Sequence, residues 1–357
     1  MFINFSSSRS YLVLLILSVG VLSGCISPKT KNTTPTLLST TNATQADLIK
    51  EVDRFAKVDS LRAKMYLKLE DNSFAQDGTK DVYKSADGEV VVQRPASILL
   101  KVQVPVIKTD IAQMTSDGEK FRVALLQDGG SGKFKRFVKG TNKSDYSSLQ
   151  RSLEAENGET VKNVSAIANM RPQHFTDAML VRPIDPSLMY TQSTIFQIEE
   201  DETRDKKSPL RKVNRGYYLL DEYTKDADGH QVIARRFWFD RVAGIRLARQ
   251  QIFDSKGEIE SDIVYGAEGN LTDTGQFNRL PLQVTVTRPQ EKYSMKLTYQ
   301  IPEDVKIGNK YPATAFVLEN SWGLEEVDLD KKLQEATAQK PQPPGSATNT
   351  NSASRFQ

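Results

Sequence analysis

Alternation of apolar and polar residues with a period of two constrains this chain more than any other feature. Over residues 61–70, odd positions are apolar, and even positions carry charged residues or tyrosine. Related apolar rows occur over residues 98–104, 121–125, 282–287 and 293–301. Successive side chains of a strand point to opposite faces, so these rows predict antiparallel sheet with one apolar face and one wetted face.

Short turn signals lie between the alternating segments. They are Asp77-Gly78, Asp87-Gly88, Asp117-Gly118, Asp228-Gly229 and Lys256-Gly257. Strands at this spacing, joined by hairpins, predict a sheet that meanders into a barrel or half-barrel. The charged stretch from Glu199 to Arg215 is interpreted as a solvated loop between two strands.

Helical patterns interrupt the strands in two places. Thr44 is a candidate N-cap with Asp47 as its partner in a capping box, and apolar residues recur at helical spacing over residues 48–56. Between Asn163 and Leu180, apolar residues recur at helical spacing on either side of Pro172. The sequence therefore predicts one opening helix and a later pair of short helices.

The N-terminus combines a basic residue, a short apolar run and a cysteine. Arg9 precedes the apolar residues 11–22, and two small residues precede Cys25. The run is shorter than the roughly 20 residues of a membrane-spanning helix, so a cleaved leader fits better than a helical anchor. Cys25 is the one cysteine in the chain and has no disulfide partner within it. We predict cleavage before Cys25 and acylation of its thiol; the alternative is a signal peptide with a chance cysteine.

Acylation would attach the chain to a membrane, since each buried methylene contributes roughly 0.8 kcal/mol and three chains together give a stable anchor. Ile26 and Ser27 follow the cysteine. In the sorting rule for bacterial lipoproteins, an acidic residue directly after the lipidated cysteine retains the protein in the inner membrane. Because no acidic residue follows Cys25 here, we predict the outer membrane, with the protein facing the periplasm.

Four segments are predicted along the chain. They are a signal peptide (residues 1–24), a flexible tether rich in Thr, Asn, Ser and Pro (25–43), one folded domain (44–332) and a disordered tail (333–357). The net charge of +3, from 48 basic and 45 acidic residues, indicates neither nucleic acid nor an acidic polymer as a partner.

Catalytic and metal-binding patterns are few in this sequence. The two histidines are His174, on a predicted helix, and His230, in a predicted hairpin turn. The chain has no HExxH, CxxC, GxSxG or P-loop pattern, and a single cysteine excludes thiolate metal sites. We therefore expect no catalytic residues, no metal and no cofactor. Glycosidase chemistry by distant carboxylates remains open.

A large sheet must cover its apolar face, and few helices are predicted to do so. If the sheet curls around them, its interior is either a filled core or a hydrophobic cleft, and patterning alone favours the filled core. A transmembrane β-barrel is disfavoured by the lipid anchor, the mean hydropathy of −0.48 and the lack of aromatic girdles.

Several segments carry a family resemblance. They are residues 94–107, 110–121, 170–180, 236–253 and 280–297. The paired strands at 94–107 and 110–121 resemble those of the LolA/LolB-like superfamily, which includes the periplasmic lipoprotein carrier and the outer-membrane lipoprotein receptor. The resemblance implies a mainly β, α+β fold, in which a curved antiparallel sheet forms a half-open β-barrel with a helical lid over a hydrophobic cavity.

That resemblance also implies a function. The chain would bind acyl chains of lipids or lipoproteins, with lipoprotein or lipid cargo and a periplasmic carrier as its partners; the alternative is a structural or interaction lipoprotein without a ligand. The apolar turn with Val104, Val106 and Ile107 would touch the bilayer or the cargo, or is an ordinary buried strand end. Candidate cavity residues are Phe55, Met65, Leu67, Leu100, Val102, Phe121, Phe237, Phe239, Leu247, Met295 and Leu297.

Overall fold

The computed structural model describes residues 34–71, 81–82, 85–127, 135–144, 146, 149, 172–272 and 274–338. Cys25 and the predicted signal peptide lie outside the described residues. The same is true of most of the predicted tether, the first helix predicted after Asn163, the Asp77-Gly78 turn and the tail beyond residue 338.

Strands make up about half of the described residues. They are β1 (Thr36–Leu37), β2 (Ser60–Asp71), β3 (Asp81–Val82), β4 (Ala86–Gln93), β5 (Ser97–Gln103), β6 (Asp110–Ser116), β7 (Lys120–Leu125), β8 (Arg136–Thr141), β9 (Met189–Glu200), β10 (Lys212–Lys225), β11 (Gln231–Asp240), β12 (Arg246–Phe253), β13 (Ile259–Tyr265), β14 (Glu268–Leu271), β15 (Phe277–Pro281), β16 (Gln283–Arg288), β17 (Tyr293–Tyr299), β18 (Lys306–Ile307) and β19 (Glu325–Asp328). The described helices are α1 (Gln45–Ala56), α2 (Gln173–Met179) and α3 (Leu329–Ala338).

Helix α1 begins with the capping box predicted from its sequence. The backbone N–H of Asp47 donates to the Thr44 hydroxyl at 3.3 Å, and the backbone N–H of Thr44 donates to the Asp47 carboxylate at 3.0 Å. Two backbone donors without helical partners are thereby satisfied. The helix buries Leu48, Val52 and Phe55.

The chain divides into two compact units, and the larger comprises residues 38–197 together with the chain from residue 215 onward. Its strands follow the order β10–β11–β12–β13–β16–β17–β2–β4–β5–β6–β7–β8, each antiparallel to the next. Strand β19 pairs with β8 in parallel. The predicted mainly β, α+β class is confirmed: the sheet is large and curved but mixed rather than purely antiparallel, and it is not closed into a barrel.

The smaller unit comprises residues up to Leu37 and the segment Ile198–Asn214. Within it, β1 pairs in parallel with Val213 and Asn214. The loop predicted from Glu199 to Arg215 is shorter than expected, because its first two residues belong to β9 and its residues from Lys212 onward belong to β10. Residues 201–211 connect these strands, and the Arg211 guanidinium donates to the Glu200 carboxylate at 2.9 Å.

The predicted turn at Asp87-Gly88 is wrong, because both residues lie within β4. A Cβ at residue 88 would come within 2.5 Å of the Leu67 side chain on β2. Glycine is therefore required here for close cross-strand packing rather than for a turn. The signals at Asp117-Gly118, Asp228-Gly229 and Lys256-Gly257 do connect successive strands, and each of these glycines has a positive φ.

Two predicted boundaries also change. Helix α3 continues to Ala338, six residues past the domain end predicted at residue 332, and packs against β8. At the other end, β1 lies inside the segment predicted as a flexible tether. Composition-based reasoning misses both elements, because β1 has only two residues and most residues of α3 are polar.

Candidate functional site

The eleven residues predicted to line an acyl-chain cavity all belong to the interior of the larger unit. Ten of them are buried in one continuous apolar core, and Val102 is partly buried against it. Phe121, Phe237 and Phe239 are completely inaccessible to solvent. Aromatic contacts tie the core together, with ring centroids 5.3 Å apart for Phe55 and Tyr265.

An apolar pocket lies between helices α1 and α2 and the sheet. Phe55 lines it, as do Ala178 and Met179 of α2 and Tyr265 and Leu280 of the sheet. Its volume is about 20 Å³, which holds about one water molecule. Pockets that bind small molecules usually have several hundred Å³, so this pocket is too small for an acyl chain in the arrangement that the structure shows.

Two arginines hold the segment that follows α2 against the sheet. Arg94 Nη2 donates to the carbonyl of Val181 at 2.6 Å, and also to the carbonyl of Ala56 at 3.3 Å. Arg235 donates to the carbonyls of Arg182 at 3.0 Å and Pro183 at 3.2 Å. We call these contacts the arginine clamps. They fix the position of α2 through backbone carbonyls at its C-terminal side.

The clamp at Arg235 is buttressed by a buried ion pair. Both Arg235 and Glu222 are almost completely buried, and Arg235 Nε donates to Glu222 Oε1 at 2.8 Å. The Tyr190 hydroxyl donates to the same carboxylate at 2.7 Å. Burial, followed by this hydrogen bond to Glu222, raises the pKa of Tyr190 to about 12. Several hydrogen bonds thus compensate the cost of burying the two charges.

A second, polar pocket of about 300 Å³ lies on another side of α2. His174 and Asp177 of α2 line it together with Ser261 and Arg288 of the sheet. Arg288 is buried and donates to the Ser261 hydroxyl at 2.6 Å and to Glu291 at 2.7 Å. Burial raises the pKa of Asp177. These residues are far apart in sequence, so no local sequence motif predicts the pocket.

The structure places the two histidines differently. His174 is buried, with Nδ1 2.9 Å from the Tyr293 hydroxyl, so it is a packed residue of the helix. His230 is exposed in the β10–β11 hairpin, where its backbone N–H donates to the Asp226 carboxylate at 2.8 Å. Both placements agree with the interpretation from sequence.

The predicted membrane or cargo turn connects β5 to β6. Val106 is 90% exposed and Ile107 69% exposed, whereas Val104 is half-buried. The turn is closed by backbone hydrogen bonds, from Lys108 N–H to the Val104 carbonyl at 3.0 Å and from Val104 N–H to the Thr109 carbonyl at 2.9 Å. The alternative of a buried strand end is wrong for Val106 and Ile107.

The backbone of this turn is strained. Val106 has a φ of 73° and Lys108 a φ of 53°. The left-handed region costs a non-glycine residue roughly 1–2 kcal/mol, and a β-branched residue such as valine rarely adopts it. Such strain persists where the surrounding structure imposes it, and it clusters at functional sites. A strained turn that presents two large apolar side chains to solvent is therefore the strongest candidate for a contact site.

No protein-family model matches this chain, and no curated protein is significantly similar to it in sequence. The solved structures that match this chain include the following three. A LolA superfamily protein from Nitrosomonas europaea has a TM-score of 0.39 and 11% identity, covering 78% of this chain and 99% of its own. A DUF1329 family protein from Desulfovibrio piger has a TM-score of 0.35 and 12% identity, covering 77% and 96%.

The third structure is a domain from Vibrio parahaemolyticus described as a candidate outer membrane lipoprotein-sorting protein. Its TM-score is 0.37 and its identity 11%, over 76% of this chain and 97% of its own. Because every TM-score is below 0.5, these matches assign no role to any residue. None of the helices in the described ranges has the length and apolar character needed to cross a bilayer.

Proposed function

We propose that this chain is a lipoprotein of the cell envelope, anchored through acylated Cys25 in the outer membrane, that transfers lipids or lipoproteins by binding their acyl chains. The observation that carries the proposal is the exposed turn with Val106 and Ile107 at its tip. Burying an aliphatic side chain of this size in hydrocarbon contributes about 1.5–3 kcal/mol. The turn therefore meets the bilayer or the acyl chains of the cargo, and no covalent chemistry is required.

Acyl chains then enter the interior beneath α2. The apolar pocket beside Phe55 is nearly closed, with a volume of about 20 Å³. Release of the arginine clamps at Arg94 and Arg235 frees the segment after α2 and widens that pocket. Apolar burial at roughly 25 cal/mol per Å² offsets the hydrogen bonds lost on opening. The clamped arrangement is the closed state of the carrier.

The second candidate function is a structural or interaction lipoprotein that holds no ligand. The packing of ten predicted cavity residues in the core and the small size of the apolar pocket favour it. The two candidates differ in one property, which is whether the protein accelerates the movement of acyl lipids between membranes.

A transfer assay distinguishes them. Vesicles that carry a fluorescent palmitoyl phospholipid are mixed with unlabelled vesicles, and transfer is followed with and without the full-length protein. The carrier accelerates transfer, and Ile107→Glu slows it about tenfold because a charge replaces an aliphatic side chain that would enter hydrocarbon. The matched control Thr109→Glu adds the same charge at an exposed neighbouring position and leaves the rate within about twofold. A wild-type rate equal to the rate without protein overturns the carrier and leaves the structural candidate.

A further inference from the structure

A group of cations lies on the outer face of the sheet, around an exposed tyrosine. Tyr66 is 52% exposed on β2, and its neighbours along the strand on the same face are Lys64 and Lys68. Lys296 of β17 and Lys101 of β5 project from the same face. We call these four lysines and Tyr66 the basic face.

The strand register brings like charges together on this face. Lys68 lies directly opposite Lys296, so two ammonium groups are cross-strand neighbours. Like charges in directly opposed positions destabilise a sheet. One strand further along, Lys101 and Lys64 flank Glu89 from either side. The Lys64–Glu89–Lys101 row is complementary in charge, but the opposed Lys68 and Lys296 do not stabilise the sheet, and this pair points to an external partner of negative charge.

The nearby carboxylates are already engaged. Glu89 pairs with Arg62, and Glu70 pairs with Lys68 at 2.9 Å. Among the ion pairs formed by the described residues, none includes Lys64, Lys101 or Lys296. These three ammonium groups are therefore available to a ligand.

The apolar turn adjoins the basic face. Lys108 of the turn forms an ion pair with Asp87, and Asp87 lies directly opposite Tyr66 in the register of β4 and β2. Gln300 Nε2 also donates to Asp87, at 3.0 Å. One surface thus combines two exposed aliphatic side chains, an exposed tyrosine and several lysines. Tyrosine is enriched at membrane–water interfaces, where its ring meets lipid and its hydroxyl meets water.

We propose that the basic face and the turn together form a docking surface for anionic phospholipid. This inference rests on the proposed contact between the turn and a bilayer, and it adds that headgroup charge controls that contact. The lysines pair with lipid phosphates while Val106 and Ile107 enter the acyl region and Tyr66 lies at the interface. Charge complementarity selects the occupant, because the surface offers cations around an apolar tip.

The test follows the turn directly, so that the Cys25 anchor does not obscure it. The full chain with Val106→Cys carries an environment-sensitive fluorophore on that thiol and is reconstituted into vesicles through its acylated Cys25. The vesicles contain phosphatidylcholine alone or with about a third phosphatidylglycerol. Fluorophore emission and quenching by a lipid-borne quencher report the ratio of inserted to free turn. Each lysine close to an anionic surface changes such a ratio about fivefold.

The variant K64Q/K101Q/K296Q removes the three available charges, and K206Q/K207Q/K256Q removes three exposed charges from other loops. We expect phosphatidylglycerol to raise insertion about a hundredfold, the first variant to abolish that gain, and the second to retain it. Raising the salt concentration should reduce the gain. Equal insertion into both kinds of vesicle overturns this inference while leaving the turn–bilayer contact intact. Insertion into neither kind overturns both.

Discussion

The interior beneath α2 and the turn between β5 and β6 follow opposite physical rules. Phe237 and its neighbours in the interior are inaccessible to solvent and packed into one core. The turn exposes Val106 and Ile107, and holds Val106 in a backbone conformation that valine avoids. Apolar residues in the interior stabilise the fold, whereas those in the turn cost free energy in water. The packing requirements of the fold account for the first group, and we propose that contact with another molecule accounts for the second.

The largest expected effect is on the interior. Phe237→Ala should lower the free energy of unfolding by about 4 kcal/mol, because it removes a fully buried ring and leaves a cavity. Phe196→Ala is the matched control, since that ring is 48% exposed, and should change stability by less than about 1 kcal/mol. Denaturant unfolding measures both. Equal losses for the two variants would contradict the assignment of Phe237 to the packed core.

The buried ion pair gives the next largest effect. Glu222→Gln leaves Arg235 buried without its carboxylate and should cost about 3 kcal/mol. Amide hydrogen exchange should also quicken across residues 180–182, because the Arg235 clamp on that segment weakens. Glu335→Gln, in a solvent-exposed pair with Lys331, should cost less than about 0.5 kcal/mol. Unchanged amide exchange at residues 180–182 would show that the ion pair does not hold the segment.

A substitution in the turn should raise the stability of the fold, whereas the two preceding substitutions lower it. Val106→Gly should raise the free energy of unfolding by up to about 1 kcal/mol, because glycine adopts a positive φ without steric cost. The same variant should lose contact with vesicles. A turn that serves the fold would instead lose stability on this substitution, as measured by thermal unfolding.

The smallest effect concerns the polar pocket beside α2. Burial raises the pKa of Asp177, so the folded state holds this proton more tightly than the unfolded state does. The stability that protonated Asp177 contributes to the folded state is therefore present at low pH. It is lost as the pH rises from about 4 through the folded-state pKa of this group. Asp177→Asn should lose less stability than the wild type between about pH 4 and neutral pH. The difference in stability between the variant and the wild type should be small. The Asp177 side chain is 33% exposed, and its Oδ1 lies 3.8 Å from Arg182 Nε. A steeper decline in the variant would contradict this assignment.

Local patterns predicted the elements that depend on local chemistry. The capping box at Thr44 and Asp47 and the alternation along β2, β16 and β17 are read from neighbouring residues, and the structure confirms them. Gly88 misled the prediction because its requirement comes from Leu67 on another strand. The dipeptide alone cannot distinguish a turn from a close approach of two strands.

Contacts between residues that are distant in sequence form the sites that the sequence alone did not predict. The clamps join Arg94 to Val181 and Arg235 to Pro183, and the polar pocket joins α2 to Arg288; none of these pairs has a local signature. The exposure of Val106 and Ile107 was one of two alternatives for an apolar turn. The choice between them depended on whether another segment covered the turn.

Photo-crosslinking tests the central claim, that acyl chains pass from the turn to the interior beneath α2, most directly. The probe is a palmitoyl phospholipid with a photoreactive group at the end of its acyl chain. It is incubated with the full-length protein and irradiated. The adducts are then mapped by mass spectrometry. The carrier predicts adducts on Ile107 and on peptides that contain Phe55 and Met179, the residues that line the apolar pocket. Adducts confined to the turn, or none at all, would show that the interior stays closed to acyl chains and would contradict it.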